Sequence, residues 1–274
     1  MINWHDLSEH EMKIAVAGKG GVGKTFIAGT LARMFASDFK VLAIDNDPSM
    51  NLIYSLGMDP DLRNEITPIS KMNSLIEERT AIDGMGSGIY NVNPQVEDIP
   101  DRFKIKGPDN IELLVLGTIE EPSTGCLCAP NVLIRTLLGE LILNRDDVVI
   151  IDFEAGLEHL GRGTAKGIDI MLIVTGAYRK SLDLSEKLLR LAKKMGVKKP
   201  FVVGNNVPND KARKIIQDWA ENHDVELIGN IPHDNDVLDC EMEARAPYDS
   251  IPGSQAIQEI KNIYMKLKEW YVKN

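Results

Sequence analysis

Cysteine is scarce in this chain: there are three in 274 residues, an odd number. Domains that rely on disulfides are cysteine-dense, so this composition excludes a disulfide framework and predicts a cytoplasmic, reducing environment. Long apolar runs are also missing. None approaches the roughly 18 residues from which a membrane-spanning helix is read, so no stable membrane insertion is expected. Residues 1–12 are mostly polar, hold no apolar signal core and read as a short overhang before one domain covering 13–274. Positive charge is in deficit, with a formal net charge of −10, which argues against wholesale binding to a nucleic-acid backbone. No histidine-rich tail for bulk metal storage is present. What remains, 43% hydrophobic and 26% charged, is ordinary for a globular chain long enough to bury one α/β core.

The most informative stretch is Gly18-Lys19-Gly20-Gly21-Val22-Gly23-Lys24-Thr25. An apolar run at 13–17 precedes it and a helical pattern at 26–37 follows, the strand, glycine loop and helix order of a phosphate-binding loop. Gly20, Gly21 and Gly23 let the backbone approach phosphate oxygens, with the N–H groups of Val22 and its neighbours converging on an anion. Lys24 brings a point charge to the β- and γ-phosphates, Thr25 offers a hydroxyl to Mg²⁺, and the new helix adds its positive end.

Two further apolar runs end in carboxylates. Residues 40–45 read as a buried parallel strand closed by Asp45, with Asn46, Asp47 and Pro48 beyond it. Asp45 is a candidate to hold Mg²⁺-bound water or the loop lysine, and Asp47 to orient an attacking water; the alternative is a plain turn capped by Asp. Residues 148–152 end in Asp152 in the manner of a Walker B strand, which holds Mg²⁺ through water. Gly156, just beyond, is placed to offer its N–H to a γ-phosphate. Glu154, Glu158, His159 and Arg162 cluster there, and His159 reads as a hydrogen-bonded structural histidine.

Cys126 and Cys128 form a CxC pair. Two thiolates do not complete a tetrahedral site, so the remaining ligands come either from elsewhere in the chain or from a second copy, and packing without metal is the competing reading. Zn²⁺, Ni²⁺ or an iron–sulfur cluster suits a four-sulfur site. The rest of the chain alternates strand and helix: strands at 110–116, 170–174, 201–204 and 226–228, helices at 131–143, 181–195, 210–221 and 234–244. This pattern predicts a mostly parallel sheet covered by helices on both faces. Residues 59–108 are irregular, with helical character at 71–79 and a strand expected at 89–92. Lys193, Lys194, Lys198 and Lys199 read as a solvated helix end. The amphipathic segment 257–271 reads as a closing helix docked on the sheet, with a membrane-surface helix as its alternative.

Lys19 within the glycine loop resembles the extra lysine of the deviant Walker A, or signature-lysine, class of P-loop ATPases, which includes MinD, ParA, the nitrogenase iron protein and the arsenite-pump ATPases. The CxC pair, the segment 152–163 and the turn Ile231-Pro232-His233-Asp234 together look like the CooC type of that class. The resemblance covers about 13–249 and implies a MinD-like P-loop NTPase fold, ATP hydrolysis to ADP with Mg²⁺, and a homodimer closing face to face on ATP. It further implies that Lys19 reaches the partner subunit's nucleotide, that Cys126 and Cys128 hold Ni²⁺ or Zn²⁺ between subunits, and that Asn205 and Pro232 recognise or pack on adenine. The implied client is a nickel enzyme, carbon monoxide dehydrogenase or acetyl-CoA synthase. Phe26 departs from the Ser or Thr usual at its position, leaving only its backbone N–H for the α-phosphate. A positioning ATPase of MinD or ParA type, acting by surface attachment, is the alternative, and it gives the CxC no purpose.

Overall fold

The computed structural model describes residues 11–82, 89–117, 129–145, 147–154 and 162–273. Among them, eight strands form one sheet: β1 (Met12–Gly18), β2 (Val41–Asn46), β3 (Ile105–Lys106), β4 (Ile111–Val115), β5 (Val148–Phe153), β6 (Ile170–Thr175), β7 (Lys199–Val207) and β8 (Glu226–Pro232). Their order is β3-β4-β2-β5-β1-β6-β7-β8. All neighbouring pairs are parallel except the short edge strand β3, which runs antiparallel to β4. Strands buried on both faces need continuous apolar sequence. β1, β2, β5 and β6 accordingly have every residue buried.

The main helices are α1 (Lys24–Ala36), α2 (Asn73–Thr80), α3 (Ala129–Leu143), α4 (Arg179–Met195), α5 (Asp210–Asn222), α6 (Asn235–Met242) and α7 (Gln255–Lys273). Their ends follow local chemistry. The Asn209 side chain accepts the Ala212 N–H at the start of α5, and Asp234 accepts the Asp236 N–H at the start of α6. Gly196 closes α4, with its N–H on the Ala192 carbonyl.

Side-chain alternation along the strands sends residues to two cores. One holds Ile14, Val16, Ala43 and Ile150 beneath α1 and α7; the other holds Leu42, Ile44, Val149 and Ile151 beneath α3 and α4. The apolar side of α7 is consumed in the first core, where Ile257, Ile260, Ile263, Tyr264 and Leu267 are buried. Polar contacts fasten it as well: the Tyr264 hydroxyl and the Lys268 ammonium both donate to Asp38 just past α1, at 2.7 and 2.6 Å. The docked reading of this helix therefore holds. Nearby, the buried Arg33 guanidinium grips both Asp249 carboxylate oxygens, at 2.6 and 2.8 Å, and the Leu56 carbonyl.

The strand expected at 89–92 is absent. Asn91 makes one backbone bond to Thr80, Ile89 and Val92 are exposed, at 56% and 68%, and only Tyr90 packs against the second core, so this short run finds no ladder partner. The overhang 1–12 falls almost wholly outside the described residues, and β1 already begins at Met12. Because Ile260 is fully buried between α7 and the sheet, Ile260→Ala should cost about 2–5 kcal/mol, read as a lowered denaturant midpoint with an unchanged slope. An unshifted midpoint would mean that α7 does not close the core in solution.

Candidate functional site

In a parallel sheet wound in both directions from its centre, ligands bind beyond the carboxyl ends of the strands, where the connections diverge. Here that point is the end of β1, which lies between β5 and β6, and the glycine loop leaves from it. Gly23 takes φ +87°, and a Cβ there would lie 2.1 Å from the Asn205 side-chain nitrogen. That nitrogen donates to the Val22 carbonyl at 2.8 Å, so Asn205, at the end of β7, fixes the loop from beneath. Gly20 and Gly21 border open space, the cradle that phosphate oxygens would fill. Lys24 is buried, Lys19 is exposed, and Phe26 turns its ring into the core.

The polar centre joins three elements. Thr25 Oγ1 donates to Asp152 Oδ2 at 2.6 Å, while Asp152 Oδ1 is buried with no hydrogen-bond partner. The β2–β5 register sets Asp45 directly beside Asp152. Burial pushes Asp152 up to about 6, and the Thr25 hydrogen bond and Lys24 charge oppose that rise. Burial and then the neighbouring Asp152 charge push Asp45 up to about 8. The Asp45 oxygens accept the backbone N–H of Asp47 at 3.1 Å and of Leu52 at 3.0 Å. This carboxylate thus shapes the chain after β2 as well as sitting beside Asp152. Asp47 is half-buried; its own carboxylate accepts the Ser49 N–H at 2.9 Å and the Ser49 hydroxyl, so the capped turn read in the sequence is present.

A cleft of about 600 Å³ runs from the loop past Asp47 and Glu154 to a far wall made by the ends of β7 and β8 and by α6. Pro232 lies on that wall. Sequence reasoning missed Tyr54, Tyr178, Asn206, Val237 and Glu241, which also line the cleft. The sequence places His233 only within a turn. Its ring bridges Asn206 Oδ1 at 2.6 Å and Asn235 Oδ1 at 3.1 Å. No local spacing links these residues, because distant segments bring them together. Gly156, His159, Cys126 and Cys128 lie outside the described residues, and among the described ones no three potential ligands cluster as a metal site.

The CobQ/CobB/MinD/ParA nucleotide binding domain family matches residues 13–247. An uncharacterized ATP-binding protein of Methanocaldococcus jannaschii is 42% identical, over 94% of this chain and 99% of its own. The carbon monoxide dehydrogenase accessory protein CooC of Rhodospirillum rubrum is 37% identical, over 88% of this chain and 91% of its own. Among solved structures, the septum site-determining protein MinD of Pyrococcus horikoshii, complexed with Mg-ADP, superposes with a TM-score of 0.67 at 19% identity, covering 95% and 97% of the two chains. A ParA family ATPase from Chlorobium tepidum gives 0.68 at 19% identity, covering 94% and 99%. These superpositions bear out the mostly parallel, helix-covered sheet of a MinD/ParA-type P-loop NTPase.

A raised carboxyl pKa means that the folded chain holds a proton which the unfolded chain has already released, so stability falls as pH rises through the interval between the two values. For Asp45 the interval runs from about 4 to about 8. In nucleotide-free, Mg²⁺-free protein, Asp45→Asn should gain thermal stability relative to wild type as pH climbs across it. Melting curves at pH 5 and pH 8 check this, and parallel profiles would refute it.

Proposed function

We propose, from the premise that the chain belongs to the CobQ/CobB/MinD/ParA nucleotide-binding family, that it is an ATP-hydrolysing metallochaperone. In this reading one P-loop domain, 13–274, acts in the cytoplasm as a homodimer that closes on ATP. It carries a metal ion, nickel by preference and Zn²⁺ as the alternative cargo, to an enzyme of carbon monoxide dehydrogenase or acetyl-CoA synthase type. The observation that carries the client is the likeness to the CooC protein along nearly the whole of both chains.

The described residues fit a Mg²⁺–nucleotide. Leaving a buried acceptor unpaired costs roughly 1–3 kcal/mol, and the orphaned Asp152 Oδ1 beside Thr25 Oγ1 is suited to hold hydrated Mg²⁺. Bound there, Mg²⁺ supplies positive charge to the phosphate oxygens as negative charge redistributes. Gly20, Gly21, Val22 and Gly23, with the Phe26 N–H, cradle the phosphates, and Lys24 neutralises the β- and γ-phosphates. Asp45 holds the segment from which Asp47 orients the attacking water. Gly156 reads the γ-phosphate, while Asn205 and Pro232 form the adenine end. Lys19, exposed and without an ion pair among the described residues, reaches the nucleotide of the second subunit. Cys126 and Cys128 from both copies supply four thiolates to the cargo ion. Hydrolysis then resets the dimer. The net charge of −10 gives no footing for nucleic acid, and the burial of the apolar side of α7 removes the face that surface attachment would use.

Anaerobic size-exclusion chromatography with metal analysis tests this reading. Mg-ATP and Ni²⁺ should convert monomer to dimer with one ion per two chains. Cys126→Ser with Cys128→Ser should lose the metal and keep nucleotide binding, and Lys24→Ala should reduce hydrolysis roughly a hundredfold or more. A chain that stays monomeric and metal-free under all conditions would overturn it.

A further inference from the structure

The outer side of α4 is charged in a way that its packing does not require. Its inner side, with Leu188, Leu189, Ala192 and Met195, is buried in the second core. The 17 residues of this helix carry six cations and two carboxylates, in a chain whose formal net charge is −10. Both carboxylates are answered within the helix: Asp183 by Arg179 at 2.9 Å and Glu186 by Arg190 at 3.2 Å. Lys180, Lys187, Lys193 and Lys194 are exposed and make no ion pair among the described residues.

Two features separate this side from an ordinary solvated face. One is direction. Cations are favoured at the C-terminal end of a helix and disfavoured at its N-terminal end. Lys193 and Lys194 obey that rule, but Arg179 and Lys180 open the helix, and its first turn holds no acidic residue. The stability of α4 therefore gains nothing from them. The other feature is spacing. Lys180, Lys187 and Lys194 recur every seven residues, close to two full turns, so they form one row with a repeat of about 10.5 Å along the helix.

We infer that this row is a docking surface for an acidic helix of a partner protein. A helix lying along α4 with Glu or Asp at seven-residue intervals sets one carboxylate against each lysine, as charged pairs do between adjacent helices. Charge complementarity favours that occupant over two other anionic surfaces. A duplex presents a phosphate about every 3.4 Å of axis on each strand, so it would also bring phosphates to Asp183 and Glu186, which stand between the lysines. A lipid surface calls for an exposed apolar side, and the leucines of α4 are buried or packed against a core. This docking surface goes beyond the metallochaperone reading and stands without it.

Fluorescence anisotropy on the full-length chain tests the assignment. The probe is a labelled, alanine-based helical peptide of about 21 residues with Glu at seven-residue intervals. It should bind at about 50 mM salt and weaken about tenfold or more by about 300 mM, because exposed pairs are screened. A peptide of the same composition with its Glu residues scattered around the helix should bind several-fold more weakly. Lys180→Gln with Lys187→Gln and Lys194→Gln should weaken binding roughly tenfold, the loss of three exposed ion pairs, and leave ATP hydrolysis within about twofold. Lys180→Glu alone should weaken binding and leave the melting temperature unchanged or raised, since an acid suits the first turn of a helix, which separates lost docking from lost folding. A probe that fails to bind, that binds the triple variant as tightly as wild type, or that binds no better than the scattered peptide would overturn the assignment. So would duplex DNA, or vesicles rich in phosphatidylserine, that bind more tightly than the probe through the same three lysines.

Discussion

Two carboxylates buried side by side set the terms for the rest of this molecule. Asp45 and Asp152 occupy register-matched positions at the ends of neighbouring parallel strands, and both are at most 1% exposed. Burial above all, with the Asp152 charge added at Asp45 and the Asp47 charge at Asp152, holds each carboxyl well above its usual range. The arrangement survives because its surroundings answer it in part. Thr25 and Lys24 face Asp152, and two backbone N–H groups face Asp45. What they leave unanswered is Asp152 Oδ1, an acceptor suited to a hydrated cation delivered with a polyanion.

Holding this pair in place requires a rigid frame. Parallel strands buried on both faces supply it, and two apolar cores, one beneath α1 and α7 and one beneath α3 and α4, fix the sheet from either side. The Arg33–Asp249 pair and the contacts of Tyr264 and Lys268 with Asp38 pin the C-terminal part of the chain to the helix that begins in the glycine loop. Packing in the core shared by α1 and α7 therefore contributes to the geometry of the glycine loop. This link runs from core burial to function through α1, whose first residue is Lys24.

Much of this was legible in sequence because the signals are local. An apolar run closed by Asp reads as a buried strand reaching the ligand edge, and this correctly located Asp45 and Asp152. The spacing of Ile257, Ile260, Tyr264 and Leu267 correctly read as a docked helix face. The run at 89–92 read as a strand from apolar content alone, but a strand exists only where a neighbour supplies a ladder, and none does there. Asn205 entered as an adenine contact by resemblance. Its side chain also donates to the Val22 carbonyl, a bond between residues far apart in sequence that no local pattern announces. The far wall of the cleft was largely invisible for the same reason, since Asn206, His233 and Glu241 share no motif.

By itself, then, the sequence determined the glycine loop, the order of the long strands and main helices and the carboxylates near the ends of β2 and β5, because backbone freedom at glycine and unbroken apolar runs are properties of adjacent residues. Only the tertiary structure decided that Asp45 and Asp152 are neighbours, that Asn205 props the loop, and that the Asp45 carbonyl accepts the Leu116 and Gly117 N–H groups just past β4. Those facts depend on strand register and on hydrogen bonds between distant segments, which come into being only when the sheet assembles.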